Sequence, residues 1–376
     1  MKTMTRIASL ASLALAAALS AAACQLVAGL DGDFTQAPGT DGGSDAGDEG
    51  DASDGGGSGC HSATYPDPPA GMDDGVSNEI VLALRSLDFG EGAATPPGYD
   101  LDHACTCVED AGPTCQSAQQ HCDAPGGIDN ASAQIFSLIQ FAVGADTFGS
   151  ASFSMKAEHG QFSLLLRVRG YNGKPDDPSV DVALFPSPGA DSSPVVWDGT
   201  DQWQVSQSSL VGSNLNKPLY TSAGAYVSHG TLVAALPNIL AVLGGTDSSI
   251  SFRLTDGVIT GALAQKPTGW ALSGGILAAR WAAPDIFATL SSYRDGNNMP
   301  ICTDATLVYG TAKSAICKGL DILSDASGAA SQPCDALSLG FGFTAQQAQF
   351  GMIVAPLVPS PGCPAATDPA NDSCPP

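Results

Sequence analysis

The sequence predicts a mainly β fold, an antiparallel β-sandwich or jelly-roll-like core with a disulfide-rich insert and one or two short helices. Three observations carry that expectation. Beyond Phe148 the chain is a succession of strand-length apolar runs separated by Gly, Pro and Asp turns. A repeated Gly-centred pattern recurs 18 residues apart, and the cysteines fall in two dense groups.

The first strand is expected in "NEIVLALRSLDF" (78–89), ended by Gly90 and the Pro96-Pro97 pair. A helix follows from Ala131 to Ala142, with Ile135, Leu138, Ile139 and Ala142 on one face and Asp129 or Asn130 as its cap. "QFSLLLRVRGYNG", "SVDVALFPSPG", "PVVWDGTDQWQV", "GTLVAALP" and "SSISFRL" are strand-like. "LTDGVITGAL" from Leu254 and "LSGGILAARW" from Leu272 read as two successive hairpins across Ser249 to Trp281. After Tyr293, "DATLVYGTAKSAICKGLDIL" predicts a helix capped by Asp304 with Leu307, Ile316, Leu320 and Leu323 buried. "PCDALSLGFGF" then gives a last strand before a Pro-rich tail.

The N-terminal region has a different character. Lys2 and Arg6 precede an apolar stretch from Ile7 to Leu19 and the small residues Ser20 to Ala23, the three-part layout of an export signal over residues 1–23. The stretch is shorter than the roughly 20 residues that a spanning helix needs. Residues 24–59 follow, and Gly32 to Gly59 is almost wholly Gly, Asp, Ser and Ala, a composition too poor in apolar surface to offset the entropy of ordering. Such a tether has a root-mean-square reach of about 30 Å. Residues 60–376 then form the folded domain, with a Cys-rich insert at 99–130 and a Cys-rich helical and tail region at 301–376.

The chain has 11 cysteines. Setting Cys24 aside leaves Cys60, Cys105, Cys107, Cys115, Cys122, Cys302, Cys317, Cys334, Cys363 and Cys374, an even set suited to disulfides in an oxidising compartment. Cys302 and Cys317 are one candidate pair, closing a loop worth about 3 kcal/mol by chain entropy. In a reducing compartment Cys105, Cys107, Cys115 and Cys122 with His103 and His121 would suggest zinc. Behind an export signal, disulfides are the stronger reading, with the histidines as solvent-facing loop residues.

The net charge is −24, and removal of Lys2 and Arg6 with the signal takes it to −26. A chain so acidic is repelled by phosphate backbones, so no nucleic acid partner is expected. Within the insert, Asp100, Asp102, Asp123, Asp129 and Asn130 offer clustered oxygen ligands on a cross-linked loop, a candidate cation site for which calcium is the natural ion. Otherwise no cofactor is expected. Trp197 and Trp203 flank a polar turn beside Asp198 and Asp201 and are candidate glycan-stacking residues, with Tyr171 in the same category; the competing reading makes them core anchors.

Enzyme signatures are absent: no G-x-S-x-G, S-x-x-K or H-E-x-x-H pattern, no phosphate loop and no dinucleotide fingerprint. A pair of dispersed carboxylates needs no such motif. The sequence therefore points to a surface binding or structural module for a protein, glycan or cation ligand, not to an enzyme, and the alternative is an extracytoplasmic hydrolase with dispersed carboxylates, for example acting on glycans. A cleft lined by facing carboxylates would favour the hydrolase, whereas a flat or aromatic-lined sheet face would favour the binding module.

"AAAC" at residues 21–24 resembles the lipobox of bacterial lipoproteins, with Ala21 where that family usually has leucine. The resemblance implies that Cys24 is diacylated and becomes the new N-terminus. Gln25, not aspartate, implies sorting to the outer membrane, with the protein lipid-anchored on its periplasmic or cell-surface face. Together with the Gly/Asp/Ser tether, the insert "YDLDHACTC…CDAPGGIDN", "LTDGVITGAL" and the closing "ICTDATLVYGTAKSAICKGLDI…PCDALSLGFGF", the chain resembles cysteine-paired surface lipoproteins of Gram-negative bacteria. That resemblance implies no activity and no site residues.

Overall fold

The computed structural model describes residues 62–71, 78–107, 112–143, 145, 148–222, 224–244, 250–293, 299–304, 309–355 and 363–375. The expectations for the signal, Cys24, the tether, Cys60 and Leu307 lie outside them. The compact unit that contains the described residues runs from Gly57 to Pro376.

Its elements in chain order are β1 (Glu79–Asp88), α1 (Ser132–Val143), α2 (Ser150–Glu158), β2 (Ser163–Arg169), β3 (Asp177–Ser187), β4 (Gln202–Ser206), β5 (Tyr220–Thr221), β6 (Ala225–Ser228), β7 (Thr231–Leu243), β8 (Ile250–Lys266), β9 (Gly269–Ala282), α3 (Ala283–Ser292), α4 (Gly310–Gly319), β10 (Ala336–Gln347) and β11 (Gln349–Val354). A nine-stranded antiparallel sheet has the order β2-β1-β10-β9-β8-β7-β6-β3-β5, and β2 also pairs with β3. That extra pairing, with Leu166 opposite Leu184, joins the two ends of the run. Eight strands therefore form a closed ring with β5 appended, in place of the two facing sheets of a sandwich, and closure leaves few free edges to protect.

Period-two alternation explains why β1 to β3 read as nearly continuous apolar runs. Leu82 and Leu84, Leu164 and Leu166, and Val182 and Leu184 point into the main core. The residues between them, Ala83, Leu165, Ala183 and Phe185, pack outward under Trp197, Trp203, Val205 and Ala348. Both faces are buried, so the polar half of the usual alternation is missing. The ring interior is filled by side chains, as expected for eight strands. A residual cavity of only about 20 Å³, among Leu84, Leu166, Leu184 and Phe341, has no room for a ligand.

Aromatic packing ties the helices to the sheet. Phe136 of α1 lies 5.1 Å from Phe89 and 6.3 Å from Phe341 between ring centroids, and Phe153 of α2 lies 5.5 Å from Phe89. The expected helix at 131–142 is α1. Helices α2 and α3 have no counterpart in the sequence reading, which allowed for one or two, and α4 is shorter than the predicted 304–323 element. Asp304 closes a separate 3₁₀ turn (Ile301–Asp304) and does not cap α4. Ile316, Leu320 and Leu323 are buried as expected, the last two beyond the helix end.

Two further expectations are corrected. The two predicted hairpins are one long hairpin, β8–β9, turning at Pro267-Thr268, with Lys266 opposite Gly269. The glycines taken for turns serve close packing: a Cβ at Gly257 would sit 2.5 Å from Ile239 Cδ1, and the register shifts between Thr255 and Val258. The second correction is disulfide connectivity. Cys302 pairs with Cys363 and Cys317 with Cys374, so each tail cysteine reaches back to the α4 region and Cys302 does not meet Cys317. Cys107 pairs with Cys122, Cys115 with Cys334, and Cys105 is also disulfide-bonded. No described helix is long and apolar enough to cross a membrane.

Candidate cation site and carboxylate cleft

The insert is shaped by short backbone bridges. Tyr99 pairs with Asp129 and Ala124 with Ile128, both antiparallel. Between Ala124 and Ile128 the chain must reverse, and Gly126 (φ 87°) and Gly127 (φ 67°) supply the left-handed backbone that this requires. The reversal puts Asp123 opposite Asp129, which flank the bridged pair, and their carboxyl groups share a hydrogen bond. The segment "DAPGGID" is thus a loop that brings two acids together.

Asp129 is 2% exposed. Its Oδ2 accepts hydrogen bonds from the Leu101 amide (2.7 Å) and the Asp102 amide (3.2 Å), fixing the "DLD" turn over it. Asp102 accepts from the Ala104 amide (3.0 Å) and the Thr114 hydroxyl (2.5 Å). Asp100 is 6% exposed, and its Oδ2 accepts from the Ser62 hydroxyl at 2.5 Å. Its Oδ1 is buried with no hydrogen-bond partner. One carboxylate oxygen each from Asp100, Asp102 and Asp129 lies within 4.8 Å of the others. Ligands on opposite sides of a calcium ion are about that far apart, at bond lengths of roughly 2.4 Å.

This set can coordinate a divalent metal ion. The donors are all oxygens, which suits a hard cation, and the unpartnered Asp100 oxygen is the kind of buried group a cation would satisfy. Arg280 is 4% exposed and braces the turn by donating to the carbonyls of Leu101 and, at 2.6 Å, Leu323. Among the described residues, none of the ion pairs neutralises these carboxylates.

Asp129 also opens onto a cleft of about 620 Å³, together with Asp123, Asp321 and His121. Ala93, Ala94, Pro96 and Leu138 contribute apolar lining to the same cleft. Asp123 Oδ2 accepts from the Thr106 amide at 2.6 Å. Asp321 is held by the Ser338 amide (2.8 Å) and hydroxyl (2.5 Å). His121 Nε2 lies 2.6 Å from the Lys318 carbonyl, which can only accept, so that nitrogen carries the proton.

Burial raises the proton affinities of all three cleft acids, and neighbouring carboxylates add to it at Asp129 and Asp123. Burial, then the charges of Asp102, Asp321 and Asp123, pushes Asp129 up to about 9. Burial, with Asp102 and Asp321 adding, takes Asp123 to about 6 despite the Thr106 amide. Burial takes Asp321 to about 6 against the two Ser338 donors. Carboxyl groups poised near neutrality in a cleft are an arrangement suited to proton transfer.

The other predicted site residues fall elsewhere. Asn130 is fully engaged as a helix cap: its Oδ1 accepts from Ala133 (3.2 Å) and Ser132 (2.7 Å), and its Nδ2 donates to the carbonyls of Pro97 (2.7 Å) and Gly340 (3.1 Å). It is not poised as a cation ligand. Trp203 is 0% and Trp197 7% exposed, with ring centroids 5.4 Å apart, and Trp197 Nε1 donates to the Glu158 carbonyl. Both tryptophans and Tyr171, which is 2% exposed, anchor the core and present no face to a sugar. The zinc alternative is closed, since Cys105, Cys107, Cys115 and Cys122 are all in disulfides.

Sequence reasoning missed Asp321 and set His121 aside. Asp321 lay inside a predicted helix, and nothing local marks it; long-range contacts bring it to the insert, among them the Cys115–Cys334 staple and the His121 contact with the Lys318 carbonyl. No family model, curated protein or solved structure matches the chain.

Proposed function

We propose that the protein is an extracytoplasmic hydrolase, with Asp123 and Asp321 as the acid–base pair of the cleft and a divalent cation held behind them by Asp100, Asp102 and Asp129. The observation that carries this reading is the cleft itself: three acids with raised proton affinity line one opening of about 620 Å³. Asp321, fixed by two donors from Ser338, is the member set up to accept a proton from water. Asp123, beside the charges of Asp102 and Asp321, is the member set up to deliver one to a leaving oxygen. Glycosidic bonds are the substrate class that a carboxylate pair alone can cleave, and glycans are the first substrates to test.

Calcium is the cation favoured. Its six to eight oxygen ligands tolerate the irregular geometry of a loop site, whereas magnesium demands a near-ideal octahedron. When bound, it supplies positive charge that offsets the crowded carboxylates and ties Asp100, Asp102 and Asp129 to one point.

We further infer export and lipid anchoring of Cys24 to the outer membrane, with the acidic tether giving the domain reach. The charged start, apolar stretch and "AAAC" support this, as do the disulfides, which persist in oxidising compartments.

The deciding experiment measures reducing-end release from a panel of polysaccharides with calcium present, for the native protein and for Asp123→Asn and Asp321→Asn. Loss of one member of an acid–base pair lowers turnover by about 10²- to 10⁴-fold. Turnover unchanged in both variants, or polysaccharide binding with no cleavage by the native protein, would favour the surface binding module.

A further inference from the structure

We propose that the Cys107–Cys122 disulfide is a redox latch on the cleft, opened by a dithiol reductant while the rest of the fold stays stapled. The position of the bond carries the argument. Cys122 lines the cleft and immediately precedes Asp123. Across the bond, Thr106 immediately precedes Cys107. The two neighbours are joined by a pair of hydrogen bonds, Thr106 amide to Asp123 Oδ2 at 2.6 Å and Asp123 amide to Thr106 carbonyl at 3.3 Å. The disulfide therefore clamps together the two backbone segments whose contact presents the Asp123 carboxylate to the cleft.

Access distinguishes this bond from the three others whose two cysteines are both described. Cys107 and Cys122 are both exposed. Cys115 and Cys334 are 1% and 7% exposed, Cys302 and Cys363 are 8% and 9%, and Cys317 and Cys374 are half-buried. Exchange requires a thiolate to reach a sulfur in line with the bond, so exposure selects which disulfide reacts. The reductant's thiolate attacks one sulfur, the other leaves as a thiolate and takes a proton, and the reductant's second thiol resolves the mixed disulfide. The products are two protein thiols and an oxidised reductant.

The consequence is local because the staples interleave. Cys115, inside the loop closed by Cys107–Cys122, is held independently to Cys334, 219 residues away. That contact is reinforced by hydrogen bonds from the Gln116 amide to Gln332 (2.8 Å) and from the Cys334 amide to Gln116 (3.0 Å). Opening the latch frees the Asp123 side of the insert and leaves its far side docked. Asp100, Asp102 and Asp129 are not directly released, though Asp129 loses its hydrogen-bonded neighbour. The regulatory meaning of the latch rests on the cleft being the working site; the order and reach of bond opening do not.

The test treats the full protein with graded dithiothreitol, blocks thiols with iodoacetamide and maps them by mass spectrometry, with amide hydrogen exchange at each step. Cys107 and Cys122 are expected to be labelled first, with exchange at Thr106 and Asp123 accelerating by roughly tenfold or more as local opening becomes easier, while Leu166 and Leu184 stay protected. A Cys107→Ser/Cys122→Ser variant is expected to reproduce that exchange without reductant. Labelling of any other pair first overturns the proposal, as does exchange at Thr106 and Asp123 that is unchanged once the bond is open. If the latch opens as described in a protein that neither binds calcium nor cleaves polysaccharide, the hydrolase reading fails and the latch stands.

Discussion

Replacing Asp129 with asparagine isolates the electrostatic cost of the cluster. Asparagine keeps a carbonyl oxygen for the amides of Leu101 and Asp102 and removes the charge. In the folded protein Asp129 holds its proton up to about 9, from an ordinary value of 3.8. A raised folded value means that the stabilising contribution of the proton is complete below the unfolded value and is lost as pH climbs through the window up to about 9. At pH 7 the group is roughly 3 units into that window, which sets a ceiling of about 4 kcal/mol lost relative to acid pH. Asp123 and Asp321 act in the same direction over a window closing near 6 and remain in the variant. Urea unfolding in the presence of a chelator, followed by tryptophan fluorescence at pH 4.5, 6 and 7, measures the difference. Native stability is expected to fall more steeply with pH than that of Asp129→Asn, by up to about 3 kcal/mol between pH 4.5 and 7. Parallel profiles would refute the claim that Asp129 is a strained, proton-holding acid.

Further outcomes follow from the same geometry. Turnover is expected to peak near pH 6 and fall on both sides, since one of Asp123 and Asp321 must carry a proton and the other must not; a rate flat from pH 4 to 8 contradicts the assignment. Phe136→Ala opens a void among Phe89, Phe148, Phe252, Trp281 and Phe341 and should cost about 3–5 kcal/mol in a denaturant titration. Gly340→Ala would put a Cβ 2.0 Å from the Pro97 carbonyl oxygen, and thermal unfolding should show a loss of about 1–3 kcal/mol. Asn130→Ala strips the α1 cap and two buried carbonyl contacts, for a loss of about 2 kcal/mol by the same measurement.

Much of the sheet was legible because period-two patterning and turn residues are local signals, and β1, β2, β3, β7 and β10 fall where the pattern puts them. Closure was not legible. It depends on β2 pairing with both β1 and β3, and the apolar runs of those strands look the same in a sandwich core as in a ring covered on its outer side. The long β8–β9 hairpin was split because Gly257 and Gly275 carry the composition of turns, while their task is to let Ile239 and Phe343 approach the backbone. Helix α3 follows β9 directly through Ala282-Ala283-Pro284, and its buried Ile286 and Phe287 continue the apolar texture of the strand, so no break announced it.

At the site, Asp100, Asp102, Asp123 and Asp129 were visible as a cluster because they lie within one short cross-linked insert. Asp321 was invisible because its membership is set by long-range contacts, among them a staple between residues 219 apart in sequence. Trp197 and Trp203 illustrate the reverse difficulty: tryptophans beside a polar turn look alike whether the ring faces solvent or, as here, the core.

Calcium titration of the chelator-stripped protein, followed calorimetrically at pH 7 in buffers of different ionisation enthalpy, tests the central claim most directly. The predicted result is one ion bound per chain with uptake of protons by the buffer, as the cation takes the place of the proton on Asp129, and loss of that binding in Asp100→Asn. No binding at millimolar calcium, or binding that is unchanged in Asp100→Asn, would contradict it.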